Sequence, residues 1–377
     1  MPKMKSSKKP KVKYFSYANG FIPPTKEKQV KAIGCDGIVP PEYSTNSNDD
    51  GYDFFKPIPL PTSIDDWLAQ YNAKGQTYHQ YVLRCPWLFP NQVDEITHRF
   101  VATGSNICEK YPDGKIYLLP IGSFSSKHCM NFNELATFAG IYLGIPVCTL
   151  PAVDLEVHVK EKKAYWIDSR LHRTYQSEIE GRFYGKHQRY QLGISSLLSI
   201  LRMNIPSDAL CLIGLTMSDL YKEDSDLFVA GWAAGKSRVA VFSFFRYDPS
   251  LTFSPADWYI YHRNGKIKPE YIQSVIFRRS CKLLVHEIGH LLGIGHCIFF
   301  ECCMNGSGHL KEDFRQPIHL CPVDLHKLQT LVGFDISARY KKLQTFYEEH
   351  SMKDESDWVS KRLAFIGKTP VEIDCDV

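Results

Sequence analysis

The stretch HEIGHLLGIGH carries five residues whose types and spacing suit a metal ion: His286, Glu287, His290, Gly293 and His296. At 3.6 residues per turn, the first two histidines lie about 40° apart on one helical face, as two imidazoles that bind one ion require. Glu287 is placed to reach a water on the metal and to act as a general base for hydrolysis. For HExxH alone, the alternative is an amphipathic helix with two solvated histidines.

The third histidine needs a change of chain direction. His296 follows His290 by six residues and cannot lie on the same helical face, so the chain must turn sharply after Leu292. Gly293 permits the turn because glycine tolerates positive φ. Three neutral imidazoles leave one tetrahedral position for water, and zinc lowers the pKa of that water to about 7. The five positions together therefore predict a catalytic zinc held by the three histidines.

A second group of possible ligands follows directly. Cys297 and Cys302 have the metal-compatible spacing CxxxxC, and Cys321 is near enough in sequence to reach the same ion. These thiols predict a second, structural zinc, and the alternative is a set of buried reduced cysteines. Cys303 is a poor candidate ligand, because adjacent residues rarely both point at one ion.

The motif and its surroundings resemble a known family. HExxHxxGxxH followed closely by Met304 resembles the metzincin metalloproteases, and the CxxxxCxM run with the later CPxx element resembles their archaemetzincin branch. The similarity covers roughly residues 114–334 and includes LLPIG, FAGIYLGIPVCTLP, GKHQRYQLGISSLL and DLFVAGWAAGKSRVAVFSFFR in the family's order. The resemblance implies a zinc endopeptidase-type domain with Met304 in an apolar turn beneath the metal. It also suggests the strand at 239–245 as the edge that pairs with an extended substrate, and the alternative is an ordinary core strand, which would have the same apolar residues.

The chain departs from the family at one metal-binding position. In the archaemetzincins a further cysteine completes a CxxC element, so that four cysteines hold the structural zinc, whereas this chain has Asp324 there. A carboxylate oxygen is a poorer match to zinc than a thiolate. We expect a second zinc held by Cys297, Cys302 and Cys321, with Asp324 or water as the fourth ligand.

The elements that must position these residues follow from local patterns. Strands are expected at 115–120, 146–153 and 209–217, with a hairpin formed by 227–233 and 238–245. Helices are expected at 133–143, 191–203, 271–292, 322–332 and 336–350. This order predicts an α+β, zincin-like metalloprotease domain with a mixed sheet, a long active-site helix and a Met-turn.

We divide the chain into four parts. Residues 1–62 are expected to be an irregular, flexible N-terminal extension, and residues 63–113 a segment that covers the core. Residues 114–334 form the zincin-like domain, and residues 335–377 a C-terminal helix and tail.

Composition narrows the possible partners. The 44% hydrophobic and 23% charged residues are typical of a globular protein. Residues 1–14 carry six lysines and no acid, so the net charge of +4 becomes −2 over the rest of the chain, which argues against nucleic-acid or anionic-membrane binding. The sequence shows no signal peptide and no transmembrane helix, and we expect a cytoplasmic or nuclear protein. The run KKPKVK at 8–13 is either a nuclear-import signal or a solvated tail.

The function expected from these features is a zinc-dependent metallopeptidase that acts on peptides or unfolded protein segments. Glu287 deprotonates the zinc-bound water and returns the proton to the leaving amine. One alternative is a non-catalytic, zinc-stabilised interaction module, but Glu287 is unnecessary for purely structural zinc. Another is a zinc hydrolase of a non-peptide amide, which the motif alone does not distinguish from a peptidase.

Overall fold

The structure is a computed structural model, and the residues it describes are 20–45, 53–89, 104–128, 130–158, 160–161, 163–169, 175–184, 189–253, 261–263 and 265–368. The lysine-rich residues 1–14 lie outside these ranges. None of the helices within the ranges has the length and apolar character needed to cross a membrane.

The described residues form eleven α-helices and thirteen strands. The helices are α1 (Lys26–Ile33), α2 (Trp67–Gln70), α3 (Tyr78–Arg84), α4 (Ile107–Lys110), α5 (Phe132–Leu143), α6 (Ile194–Met203), α7 (Pro269–Leu291), α8 (Leu310–Arg315), α9 (Pro322–Val332), α10 (Ile336–Glu349) and α11 (Lys353–Lys368). The strands are β1 (Lys115–Ile121), β2 (Val147–Thr149), β3 (Asp154–His158), β4 (Lys163–Asp168), β5 (Tyr175–Ile179), β6 (Gly181–Tyr184), β7 (Arg189–Gly193), β8 (Ala209–Thr216), β9 (Asp219–Tyr221), β10 (Gly231–Ala234), β11 (Val239–Ser243), β12 (Leu251–Phe253) and β13 (Tyr261–Arg263).

A five-stranded mixed sheet organises the fold, with the strand order β10-β11-β8-β1-β2. Strands β11, β8, β1 and β2 run parallel, while β10 pairs antiparallel with β11 at one edge. Smaller sheets of order β3-β4-β5 and β6-β7-β9 and the pair β12-β13 complete the strands of the described ranges. The expected α+β class with a mixed sheet is confirmed.

The large sheet is buried on both faces, as its sequence requires. All eight residues of β8 are buried, which fits a central parallel strand. Alternate residues of β1 point to opposite faces: Ile116 and Leu118 join the core around α7, whereas Leu119 and Ile121 join a second core beneath α6. The sheet therefore separates two apolar layers.

The longest helix, α7, packs on α5 and crosses the sheet edge near β10 and β11. It begins at Pro269, which suits the first helical position because proline has no amide hydrogen to leave unpaired. Its last carbonyl groups meet side chains from the segment before β1: Trp87 Nε1 donates to the oxygen of Leu291 at 2.8 Å, and the Tyr81 hydroxyl donates to that of Leu292 at 3.2 Å. This upstream segment thus completes the end of α7.

Several element boundaries differ from those expected. Asn131, rather than Asn133, caps α5, because its side chain accepts the amide hydrogens of Asn133 and Glu134. The helix expected from residue 191 begins at Ile194, since Gln191 belongs to β7 and binds Asp219 on the next strand of that sheet. The strand expected at 146–153 is only β2, followed by a single bridge between Val153 and Ile121.

The substrate-pairing edge was assigned to the wrong strand. Residues 239–245 were expected at the edge, but β11 lies between β8 and β10, so β10 is the edge on this side. The hairpin itself is present, although its first strand begins at Gly231 instead of at residue 227. The order of strands in a sheet depends on which strands pair with each other. The alternation of apolar and polar residues along one strand does not reveal that pairing.

Both ends of the described chain pack onto the core. Within the segment expected to be irregular, α1 contacts α9 and buries Ala32 and Ile33. Beyond α10 the chain forms a further helix, α11, which packs on α10. The division of the chain at residues 62, 113 and 334 stays a prediction.

The buried Arg362 of α11 links these two ends. Its guanidinium donates to the carbonyl oxygens of Pro41, Glu42 and Ser44 at 2.7–2.9 Å. It also lies over the rings of Phe54 and Phe55. One side chain therefore anchors the N-terminal segment to the last described helix.

Arg362→Met should lower the free energy of unfolding by about 3 kcal/mol, because it removes three charge-assisted hydrogen bonds from a buried guanidinium to partly buried carbonyl groups. Urea unfolding followed by circular dichroism measures the effect. Lys342→Met, at an exposed position of α10, is the control and should change stability by less than about 0.5 kcal/mol. Equal losses in the two variants would contradict the anchoring role.

Candidate active site

Three histidine nitrogens converge at the end of α7. The Nε2 atom of His290 lies 3.1 Å from that of His286 and 3.1 Å from that of His296. The Nδ1 atom of His286 bonds the oxygen of Cys303 at 2.7 Å, and that of His290 bonds the oxygen of Ile294 at 2.8 Å. A carbonyl oxygen only accepts, so each Nδ1 carries the proton and each Nε2 has a free lone pair.

This arrangement fits a tetrahedral metal ion. Zinc to nitrogen bonds of 2.0–2.1 Å place neighbouring ligand nitrogens about 3.3–3.4 Å apart, close to the 3.1 Å that separates His290 Nε2 from each of the other two Nε2 atoms. Burial lowers the pKa of His290 to about 3 and that of His296 to about 2, and the neighbouring imidazoles add to both shifts. The rings are therefore neutral at pH 7, as metal ligands must be.

The turn that delivers His296 has the predicted conformation. Gly293 follows the helix with φ of +86°, in the left-handed region that only glycine adopts without strain. A second glycine, Gly289, lies against Met304: a β-carbon there would approach the Met304 sulfur to 2.7 Å. The methionine thus packs directly on the helix between the histidines, and the expected Met-turn is present.

Glu287 lies on α7 with His286 and His290, and it faces the same cleft as they do. Burial raises the pKa of its carboxyl group to about 8, and the Asp313 carboxylate adds to the shift. Asp313 itself is held by Lys282, whose Nζ bonds its backbone oxygen and lies 3.0 Å from its Oδ1. A divalent cation at the histidines would oppose this shift and favour the ionised form of Glu287.

A cleft of about 760 Å³ opens over the histidines. One wall is the edge strand β10 with the residues before it, and another part of the lining carries Trp67 and Tyr71. Their rings stack with centroids 4.1 Å apart, and Trp67 also meets the His296 ring edge-on at 4.7 Å. Tyr71 is 50% exposed and Trp232 on β10 is 42% exposed, so both parts of the lining offer aromatic surface to a ligand.

The cysteines expected at the second site also come together. Cys297, Cys302, Cys321 and Asp324 are buried, and their ligand atoms all lie within 4.8 Å of one another. The sulfurs of Cys297 and Cys321 are 3.6 Å apart, near the spacing of about 3.8 Å that zinc to sulfur bonds of 2.3 Å give in a tetrahedron. Asp324 Oδ2 lies 3.2 Å from the Cys302 sulfur. Cys303 points elsewhere, and its thiol faces the oxygen of Lys282.

Two features of this group reduce the cost of charged ligands. The Cys302 sulfur accepts the amide hydrogens of Cys321 at 3.1 Å and Met304 at 3.4 Å, which opposes the burial that raises the pKa of this thiol well above its usual value. Lys327, which has no exposed side-chain surface, bonds Asp324 Oδ1 at 2.7 Å. Burial raises the pKa of Asp324 to about 6 even though the lysine charge opposes the shift. The lysine leaves Oδ2 directed at the sulfurs.

A third cluster near the cleft is explained without an ion. His309 Nε2 lies 2.8 Å from Asp66 Oδ1, and its Nδ1 accepts the amide hydrogen of Glu312. Glu312 Oε2 accepts the amide hydrogens of Trp67 and Gly308. These bonds fix the Trp67 segment beside the cleft, so the cluster is structural.

The sequence reasoning missed several residues of these sites. Lys327 had a local signal, because an aspartate and a lysine three residues apart in a helix lie on one face. Trp67 and the ion pair of Lys282 with Asp313 had no local signal, since the residues that interact are distant in sequence. His319 and His326, which were left out of the predicted sites, stack on Trp358 and Tyr78 away from the metal ligands.

Gly293→Ala should cost about 1–2 kcal/mol of stability, because a β-carbon disfavours the left-handed backbone. It should also weaken zinc binding by displacing His296. Thermal unfolding and chelator competition measure the two effects. The control is Gly265→Ala, where a β-carbon would have no neighbouring atom within 4 Å, and it should behave as the parent. Similar losses in both variants would argue against a special role for the Gly293 turn.

Comparison with known proteins agrees with this geometry. The family model described as Peptidase family M54 matches residues 262–330. Archaemetzincin-2 of Homo sapiens is 42% identical over 324 residues, which cover 79% of this chain and 76% of that protein. Archaemetzincin-2 of Rattus norvegicus is 40% identical over 174 residues, 44% of this chain and 48% of that protein.

Among solved structures, the archaemetzincin of Methanopyrus kandleri is 23% identical, with a TM-score of 0.38, and covers 62% of this chain and 99% of that one. The alignment with the rat protein spans about half the length of that relative, whereas the human alignment spans three quarters of its relative and includes most of this chain. The extent and identity of the human match show that this chain belongs to the archaemetzincins, a family of zinc metallopeptidases.

Proposed function

We propose that this chain hydrolyses peptide bonds with a zinc ion held by His286, His290 and His296 and with Glu287 as the general base. The observation that carries the proposal is the convergence of three neutral imidazoles with one carboxylate in an open cleft. Zinc in such a site lowers the pKa of a bound water and polarises a carbonyl group. The proton transfers and the binding of substrate depend on side chains of the protein.

Glu287 would move the protons. Its carboxylate accepts a proton from the attacking water and gives it to the leaving amine, so it begins and ends the cycle ionised. Burial raises its pKa and makes it a stronger base than a carboxylate in water, while a cation at the histidines would oppose part of this shift and favour the ionised form. Asp313 supports this by placing a second negative charge nearby, while its pairing with Lys282 limits the repulsion.

An extended peptide segment is the substrate that the cleft fits best. Strand β10 is the edge of the sheet and lines the cleft, so its outer backbone groups are available to pair with another strand. The aromatic surfaces of Tyr71 and Trp232 lie where side chains of such a segment would project. These features favour a peptide or an unfolded protein segment over a small amide.

A second zinc is proposed at Cys297, Cys302 and Cys321, with Asp324 Oδ2 as the fourth ligand. The short separations among these atoms and the amide hydrogens donated to the Cys302 sulfur support it. This ion would tie the loop after His296 to the start of α9 and thereby stabilise the turn beneath the histidines. It would be structural, because protein atoms fill all four positions.

We place the protein in the cytoplasm or nucleus. The ten cysteines within the described residues are all free, and thiolate ligands persist where the surroundings keep thiols reduced.

Glu287→Gln should retain zinc and lower kcat for peptide hydrolysis by about 10² to 10⁴, because the amide accepts no proton. His290→Ala should lose both zinc and activity. The measurements are zinc content by mass spectrometry and cleavage of a peptide library with and without chelator.

Glu270→Gln is the matched control, since it makes the same change at the exposed start of α7. Cleavage by Glu287→Gln at the parental rate would refute the assignment of the base. Zinc binding without any cleavage by the parent would favour a zinc-stabilised interaction module, and cleavage of non-peptide amides alone would favour an amidase.

Asp324→Cys should slow the loss of the second zinc to a chelator and raise the unfolding temperature, because thiolate suits zinc better than carboxylate. Asp324→Ala should have the opposite effect. Metal analysis and thiol titration of the purified parent provide the check. One zinc per chain, with Cys297, Cys302 and Cys321 all freely titratable, would remove the second site.

A further inference from the structure

Gln76 makes two hydrogen bonds to the turn that delivers the third histidine. Its Nε2 donates to the oxygen of Gly293 at 3.1 Å, and its Oε1 accepts the amide hydrogen of Gly295 at 2.9 Å. A single planar amide thus holds both sides of Ile294. Gln76 lies in the segment between α2 and α3, more than 200 residues upstream of the turn.

The turn is held only in part by α7. The helix ends at Leu291, and the amides of Gly293 and Ile294 bond back to the oxygens of His290 and Gly289. The oxygen of Gly293 and the amide of Gly295 bond Gln76 instead. The same turn orients two ligands, because the oxygen of Ile294 accepts from His290 Nδ1 while His296 follows two residues later. A shift of this backbone would therefore displace two of the three imidazoles.

A second contact from the same upstream segment reaches the His296 ring itself. Trp67 meets that ring edge-on, with centroids 4.7 Å apart. The backbone amide of Trp67 donates to Glu312 at 2.8 Å, which fixes the backbone that carries the indole. The backbone before His296 and the imidazole it carries are thus each held by a residue of the upstream segment.

We propose that Gln76 is a positioning residue of the catalytic metal site: its amide fixes the turn from Gly293 to Gly295 so that His296 meets the ion with His286 and His290. The role rests on the metal site of the proposed function and extends it to a residue outside the segment that matches the family model. Residues that orient metal ligands through hydrogen bonds typically account for a 10- to 100-fold difference in metal affinity.

Cobalt(II) binding tests the proposal, because imidazole and thiolate ligands give this ion different absorption. Gln76→Met removes both hydrogen bonds and should weaken cobalt and zinc binding at the histidines by about 10- to 100-fold. The visible bands of cobalt bound there should also change, while thiolate-to-cobalt charge transfer from the cysteine group stays the same. Gln76→Glu keeps the acceptor for Gly295 but loses the donor to Gly293, and it should weaken binding less.

Gln344→Met is the matched control. It removes an amide hydrogen bond to Ser360 at 2.8 Å, between α10 and α11, and should leave both metal signals unchanged. If Gln76→Met does not fold, Gln76→Glu carries the same comparison. Parental affinity and parental cobalt bands in a folded Gln76 variant would overturn the role. Failure of the parent to bind cobalt through imidazole would instead overturn the proposed metal site and, with it, this role.

Discussion

The fold depends on where the catalytic helix stops. Two of the histidines must lie one turn apart on α7, while the third must approach from outside it, so the helix has to end within two residues of His290. Ending a helix inside the protein leaves carbonyl groups without partners, and buried ones must be satisfied. Here Trp87 and Tyr81 supply the donors, and Gly293 supplies the backbone conformation. The covering segment is thus as necessary to the site as the motif itself.

A buried aspartate is paired with a lysine at each of the two sites near this helix end. Lys282 pairs with Asp313 beneath the cleft, and Lys327 pairs with Asp324 beside the cysteines. Each lysine limits the cost of burying its aspartate. At Asp324 the lysine bonds Oδ1 and leaves Oδ2 close to the sulfurs of Cys302 and Cys321.

The sequence predicted those features that depend on residues close to one another in the chain. The histidine spacing, the glycine at the turn and the periodicity of α7 and α9 lie within short stretches, and the structure has them as expected. Strand order is not local, which is why β11 was mistaken for the edge. The contacts made by Gln76, Trp87 and Arg362 join residues 204 to 321 positions apart, and none of these side chains stands out in its own neighbourhood.

The link made by Arg362 also bears on how the protein is synthesised. A ribosome translates the N-terminal and covering segments before the metal motif, and α11 after it. The contact of α1 with α9 needs no residue of α11, but the bonds from Arg362 to residues 41–44 form only after Arg362 has left the exit tunnel. A nascent chain that already holds every metal ligand still lacks these bonds. Completion of this fold is therefore coupled to completion of translation through α11.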